Sequence, residues 1–207
     1  MTYAKILEKV NDMNIIGITG GIGSGKTTCC QIFECMGVPA YYADDRAKKL
    51  MTEHPDVINQ VKTLLGASAY HDHGELNREY IANKIFNDKA LLQNMNDIIH
   101  PAVAQDAIAW ANDQSSQYVI YEAALLVENG SYKNMTKLIV VSCPEEIRIK
   151  RVMSRDHSTK AAVLSRMKNQ LPESAKIKVA DYTIDNSGEK SIIPQIFAIH
   201  NQLINLI

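Results

Sequence analysis

Residues 14–28 read NIIGITGGIGSGKTT. A short isoleucine-rich run enters a glycine-rich turn, and Lys26, Thr27 and Thr28 follow at once. An apolar run of this length bounded by glycine reads as a strand buried on both faces. Residues 25–36 then carry apolar side chains at helical spacing and stop at Gly37, a helix-ending residue. A strand, a tight turn and a helix in immediate succession direct the chain toward an α/β fold with a parallel sheet. The pattern recurs. Further strands are predicted at VPAYY (38–42), YVIYE (118–122) and KLIVVS (137–142), with a weaker one at YTID (182–185), and helical segments separate them. The last helix is predicted to present Ile192, Ile193, Ile196, Phe197, His200, Leu203 and Ile204 as one amphipathic stripe.

The turn itself, Gly20 to Thr27, fits G-x-x-x-x-G-K-[ST] in the strand–turn–helix context that pattern requires. Glycines let the backbone approach an anion closely. The N–H groups of Gly23, Ser24, Gly25 and Lys26 then point at phosphate oxygens, assisted by the helix N-terminus. Lys26 neutralises charge on a transferring phosphoryl group, Thr27 offers a hydroxyl to Mg²⁺, and Thr28 reaches toward an α-phosphate. Phosphate binding leaves a kinase, a GTPase switch and a mechanical ATPase in play. The only Asn-Lys pair, Asn83-Lys84, is followed by Ile-Phe, so no guanine-reading N-K-x-D is present. Glu122, ending YVIYE, matches only in part the acidic strand end of a mechanical ATPase. Small size and a helical insertion favour a small-molecule kinase.

That insertion is the one break in rhythm. No strand is predicted between Asp45 and Gln117, a stretch far longer than the dozen or so residues a crossover needs. The expected organisation is an extension at 1–13 and a kinase domain at 14–207. The domain comprises a core (14–45 and 117–207), a helical substrate-binding insertion (about 46–116) and a basic lid (about 148–178). A polar turn is expected at 71–79, and His100-Pro101 reads as a helix boundary.

Transfer to an alcohol needs a carboxylate beside the attacking oxygen and positive charge on the phosphates. Strand 38–42 runs directly to Asp44 and Asp45. Asp44 is the candidate base or orienting group, and capping a helix that starts at Arg46 is the other reading of the same residue. Arg148, Arg151 and Arg155 share a helical face after KLIVVS and suit a lid closing over ATP. From Arg148 to Lys178 nine Lys or Arg stand against two Asp or Glu, although the whole chain carries a net charge of −1. A near-neutral chain gives no global pointer to nucleic acid or an anionic membrane. No apolar run approaches the roughly 20 residues that span a bilayer. The N-terminal stretch lacks a signal-peptide core, and the cytoplasm is the expected compartment. Cys29, Cys30, Cys35 and Cys143 form no C-x-x-C pair and are expected as buried free thiols.

Taken in order, these segments resemble the dephospho-coenzyme A kinase family. TGGIGSGKT (19–27) is similar to its phosphate loop, and ADDRAKKL (43–50) to the segment holding its catalytic Asp, which falls on Asp44. GELNR (74–78), IIHP (98–101), ALLVEN (124–129), RIKRVMSRD (148–156) and KVADYTIDNSG (178–188) resemble five further segments in the same order. The resemblance implies a P-loop kinase with a five-stranded parallel sheet flanked by helices, a helical CoA-binding domain and a lid. It implies ATP and Mg²⁺, with transfer to the ribose 3′-hydroxyl of dephospho-CoA as the last step of CoA synthesis. It also implies substrate contacts at Arg78, His100 and Leu125, and an adenine-side contact at Asn186. Three positions depart from the family's pattern: Tyr42 replaces a usual Asp, Ala124 a usual Pro, and Arg148 a common Gln.

Overall fold

The computed structural model describes residues 13–85 and 88–206. The expected N-terminal extension, apart from Met13, lies outside the described residues. The chain divides into two compact units, one of residues 43–110 and one of residues 13–42 with 111–206.

The second unit is built on five parallel strands: β1 (Asn14–Thr19), β2 (Ala40–Tyr42), β3 (Tyr118–Glu122), β4 (Lys137–Ser142) and β5 (Tyr182–Asp185). Their order is β2-β3-β1-β4-β5, so β1 lies at the centre between β3 and β4. Alternate residues face opposite sides of a sheet, and both sets are buried here. Ile16, Ile18, Ile120, Ile139 and Val141 are buried with α1 (Lys26–Cys35) and the last helix in one core cluster. Ile15, Tyr41, Val119, Leu138 and Val140 are buried as well. Burial on both faces explains the near-continuous apolar strands. β2 is shorter than expected. Val38 N–H donates to Phe33 O at the end of α1, and Pro39 has no N–H to give a ladder.

Beyond β4 come α6 (Glu145–Asp156), α7 (Lys160–Met167) and α8 (Glu173–Ile177), and the chain ends in α9 (Ile192–Leu206). α6 and α7 form a hairpin around Ile149, Val152 and Val163. His157 takes φ 49° at the bend, and Thr159 caps α7 by accepting the Ala162 N–H at 3.3 Å.

The stripe expected on α9 is corrected by the structure. Ile196, Ile199 and Leu203 form its buried line, whereas Ile193 and Phe197 are 61% and 56% exposed. A run with apolar residues at adjacent positions spans more than one face, and only the line matching the sheet surface is covered. His200 sits beside that line, with its Nδ1 2.6 Å from the Tyr118 hydroxyl. Burial holds His200 below its usual pKa of 6.5. Its neutral form is the folded one, so the contribution is complete above pH 6.5. It is lost as pH falls below that value, because the unfolded chain takes up the proton first. The melting temperature is expected to drop between pH 7 and pH 5, and His200→Gln to flatten that slope in a pH series of thermal melts.

The first unit is helical: α2 (Ala43–Glu53), α3 (Pro55–Leu65), α4 (Arg78–Ile85) and most of α5 (Lys89–Asn112). Val57, Val61, Leu65, Tyr70, Ile81 and Met95 make its core. The insertion edges expected at 46 and 116 fall inside α2 and beyond α5. The polar turn is tighter than expected: Tyr70 bridges Leu76, and α4 starts at Arg78. His100-Pro101 is no boundary either. α5 runs through Pro101 at the cost of one i→i−4 hydrogen bond, because apolar residues on both sides of the proline are packed in the core.

Candidate active site

The phosphate loop leaves the C-terminal end of β1, where the strand order reverses. Open α/β sheets bind ligands at this position. Gly23 and Gly25 adopt φ of 80° and 92°, a region that side chains strain to enter. Both are also crowded. A Cβ on Gly23 would stand 2.6 Å from Arg148 O, and one on Gly25 2.2 Å from Asn186 Nδ2. The loop closes on itself through Ser24 N–H donating to Gly21 O (3.0 Å), and Gly25 is the N-cap of α1. Ser24 Oγ is buried with no hydrogen-bond partner among the described residues. Thr27 and Thr28 are exposed in the first turn of α1.

Lys26 is buried. Its Nζ donates to Gly20 O at 3.2 Å and lies 3.8 Å from Glu122 Oε1 at the end of β3. The lysine therefore folds back over the root of the loop, held between a carbonyl and a carboxylate.

The three arginines diverge although their spacing shares a face. Arg148 is buried, donates through Nε to Cys143 O at 2.9 Å, and lies so close to Gly21 that a Cβ there would meet its Nη1 at 2.2 Å. Arg151 donates to Asn186 O at 3.1 Å and to Cys143 Sγ at 3.4 Å. Arg155 is exposed and paired with Asp156 at 2.7 Å, while Arg166 binds the same carboxylate at 2.8 Å. These two guanidinium groups hold Asp156 well below the usual carboxylate range. Asn186 donates its side-chain amide to Ser24 O at 2.7 Å, so the residue after β5 clamps the loop's flank.

Asp44 lies in the first turn of α2, directly beyond β2. The helix begins at Ala43, not at Arg46, so Asp44 is inside it. Among the described residues its exposed carboxylate has no hydrogen bond or ion pair, and the capping reading loses its basis. Asp45 is engaged by Lys48 at 2.6 Å. Tyr42, which replaces a usual Asp, donates its hydroxyl to Glu34 Oε2 at 2.9 Å and so ties the end of β2 to α1. Burial and that carboxylate raise its pKa.

Leu125 is exposed in the turn after β3. Arg78 is exposed at the start of α4, and His100 is half-buried in α5 with its pKa lowered by burial against the opposing charge of Asp97. Three cysteines are buried as expected, and burial pushes the Cys29 thiol up to about 12. Cys35, in the last turn of α1, is exposed instead. Among the described residues no cluster of three His, Cys, Asp or Glu side chains has metal-binding geometry, and no helix is long and apolar enough to cross a membrane.

Sequence reasoning passed over Gln170, which binds the loop, and the Glu128–Lys176 pair behind it. Gln170 sits in an irregular segment and carries no periodic signal, and the Glu128–Lys176 pair joins residues that are remote in the chain.

A family model described as dephospho-CoA kinase matches residues 14–191. A dephospho-CoA kinase from Salinibacter ruber is 38% identical over 85% of this chain and 90% of its own length. A crystal structure of a Thermus thermophilus protein is 28% identical and superposes with a TM-score of 0.83 over 95% of this chain and all of its own. A dephospho-CoA kinase structure from Campylobacter jejuni, 23% identical, shares the fold with a TM-score of 0.67, covering 92% of this chain and 97% of its own.

Proposed function

Because the chain belongs to the dephospho-CoA kinase family, which phosphorylates dephospho-CoA with ATP in the final step of CoA biosynthesis, we propose that its phosphate loop holds the ATP triphosphate and that Asp44 directs the ribose 3′-hydroxyl of dephospho-CoA at the γ-phosphate. The observation that carries this reading is the loop at the centre of the sheet. Lys26, Arg148 and Arg151 all lie against it, so the local charge suits a polyanion.

The backbone N–H groups from Gly23 to Lys26 take the β- and γ-phosphate oxygens. Lys26 stabilises charge as it moves from the γ-phosphoryl group to the leaving oxygen. Asp44 accepts the proton of the attacking hydroxyl and orients its lone pair. Arg148 and Arg151 support the triphosphate from α6, Arg155 reaches it by exchanging its Asp156 partner, and Thr28 takes the α-phosphate. Thr27, exposed at the helix start, is the proposed ligand for Mg²⁺, which shields phosphate charge when bound. Arg78, His100 and Leu125 are the proposed contacts for dephospho-CoA, and Asn186 for the adenine side of ATP. The proposed compartment is the cytoplasm, and no nucleic-acid or membrane partner is proposed.

ADP release from ATP–Mg²⁺ tests the reading, with dephospho-CoA, AMP and adenosine supplied in parallel. Strong stimulation by dephospho-CoA alone, with product phosphorylated at the 3′ position, is the expected result. Equal rates with AMP would reassign the acceptor to a nucleotide. Tight nucleotide binding without stimulation by any acceptor would point to a switch rather than a kinase.

A further inference from the structure

The segment between α7 and α8 grips the phosphate loop. Gln170 Oε1 accepts the Ile22 N–H at 2.9 Å, and only the carbonyl end of the amide can do so. The Ile22 side chain packs into the α6–α7 hairpin, against the cluster of Ile149, Val152 and Val163. Backbone and side chain of the loop's tip are thus both held by the basic segment.

Gln170 is itself anchored. The next residue, Leu171, donates its N–H to Glu128 Oε1 at 2.9 Å. Lys176, 1% exposed, pairs with the same Glu128 oxygen at 2.7 Å and donates to Ala124 O at 3.2 Å. Thr19, the last residue before the loop, donates its hydroxyl to that same Ala124 carbonyl at 3.2 Å. The segment 170–176 is therefore tied to the loop's tip through Ile22 and to its root through Ala124. Behind the loop lies a cleft of about 560 Å³ lined by Gly21, Arg148, Leu164, Gln170 and Lys176 among others. The tip is therefore placed by the Gln170 hydrogen bond together with the packing of Ile22 in the hairpin. Glu128 Oε2 is buried without a hydrogen-bond partner among the described residues. An incompletely satisfied buried pair is a weak stabiliser and a good register device.

We propose that Gln170 is a positioning residue for phosphate binding, and that the Glu128–Lys176 pair sets the segment that carries it. Ordering of the α6–α7 hairpin is then coupled to the phosphate loop through Ile22. The proposal rests on ATP occupying that loop, as argued above.

The test compares Gln170→Ala, Gln170→Glu and the double variant Glu128→Gln/Lys176→Met, the last removing both charges so that neither is left buried alone. Three quantities are read: KM for each substrate, ATP affinity by calorimetry, and hydrogen exchange at the Ile22 amide. Loss of one neutral hydrogen bond predicts about a fivefold rise in KM and Kd for ATP in Gln170→Ala, with faster Ile22 exchange and KM for dephospho-CoA unchanged. Gln170→Glu keeps an acceptor oxygen and is expected to return Ile22 exchange to the parent rate, while its added negative charge beside the triphosphate keeps ATP affinity below the parent's. The double variant is expected to move ATP affinity and Ile22 exchange in the same direction as Gln170→Ala. Unchanged ATP affinity in Gln170→Ala overturns the proposal, whether or not exchange changes. An equal weakening toward both substrates overturns it too. A parent protein that binds ATP without transferring phosphate to dephospho-CoA would defeat the functional reading alone, since calorimetry and exchange still decide the role of Gln170.

Discussion

Replacing Asp44 by asparagine is expected to lower kcat roughly 10³-fold, the range in which a positioned general base acts, and to leave KM for ATP close to that of the parent. The substitution keeps the side chain's size and removes its ability to accept a proton. Its structural cost is small, because Asp44 is exposed and has no hydrogen-bonding or ionic partner among the described residues. The only structural loss is a carboxylate in the first turn of α2, worth about 0.3–1 kcal/mol through the helix dipole. Asp45 remains there to supply the same effect. Steady-state kinetics with thermal melts separates the two roles. A near-parental kcat with a slightly lowered melting temperature would reduce Asp44 to a helix-start charge. A large fall in kcat at unchanged melting temperature assigns it to the reaction.

Lys26→Met is expected to cost roughly 10²–10³-fold in kcat, the scale of losing one preorganised group that meets developing charge. Methionine approximates the buried stem of the lysine and keeps the volume next to Gly20, so the fold is expected to persist. Glu122 loses its cation at 3.8 Å, and some stability goes with it. Lys26→Arg is expected to rescue little. The ammonium reaches Gly20 O from a buried slot, and a planar guanidinium has a different shape and a fixed donor fork. Turnover at saturating substrates and ATP binding by calorimetry form the check. Loss of turnover with nearly retained binding places Lys26 in the transition state, whereas parental turnover would limit it to holding the loop together.

Much of this is legible in the amino-acid sequence. The glycine pattern, the strand before it and the helix after it are local features, and local sterics and hydrogen bonding specify them. The expected end of α1 near Gly37 is found, with the Gly37 N–H donating to Glu34 O. Strands β1, β3, β4 and β5 begin and end within a residue of their predicted limits. For β1, β3 and β4 the reason is burial on both faces, which demands a nearly continuous apolar run, whereas β5 is an edge strand with Thr183 exposed. Less legible were features that depend on which surface meets which. Spacing placed Arg148, Arg151 and Arg155 on one face. The structure buries the first under Gly21, ties the second to Asn186 and gives the third to Asp156. The α9 stripe was too wide for the same reason, since hydrophobicity alone does not reveal where a covering surface ends.

The phosphate loop, the parallel α/β class, the helical insertion and the family are written locally, in residues whose meaning depends on neighbours a few positions away. Tertiary structure alone decided the strand order that puts β1 at the centre. It also decided the fold-back of Lys26 onto Gly20 and Glu122, and the contact of Gln170 with Ile22 across 148 positions of chain. Contacts of that kind carry no periodic or local signal. They arise only when packing brings remote polar groups together and burial obliges them to pair.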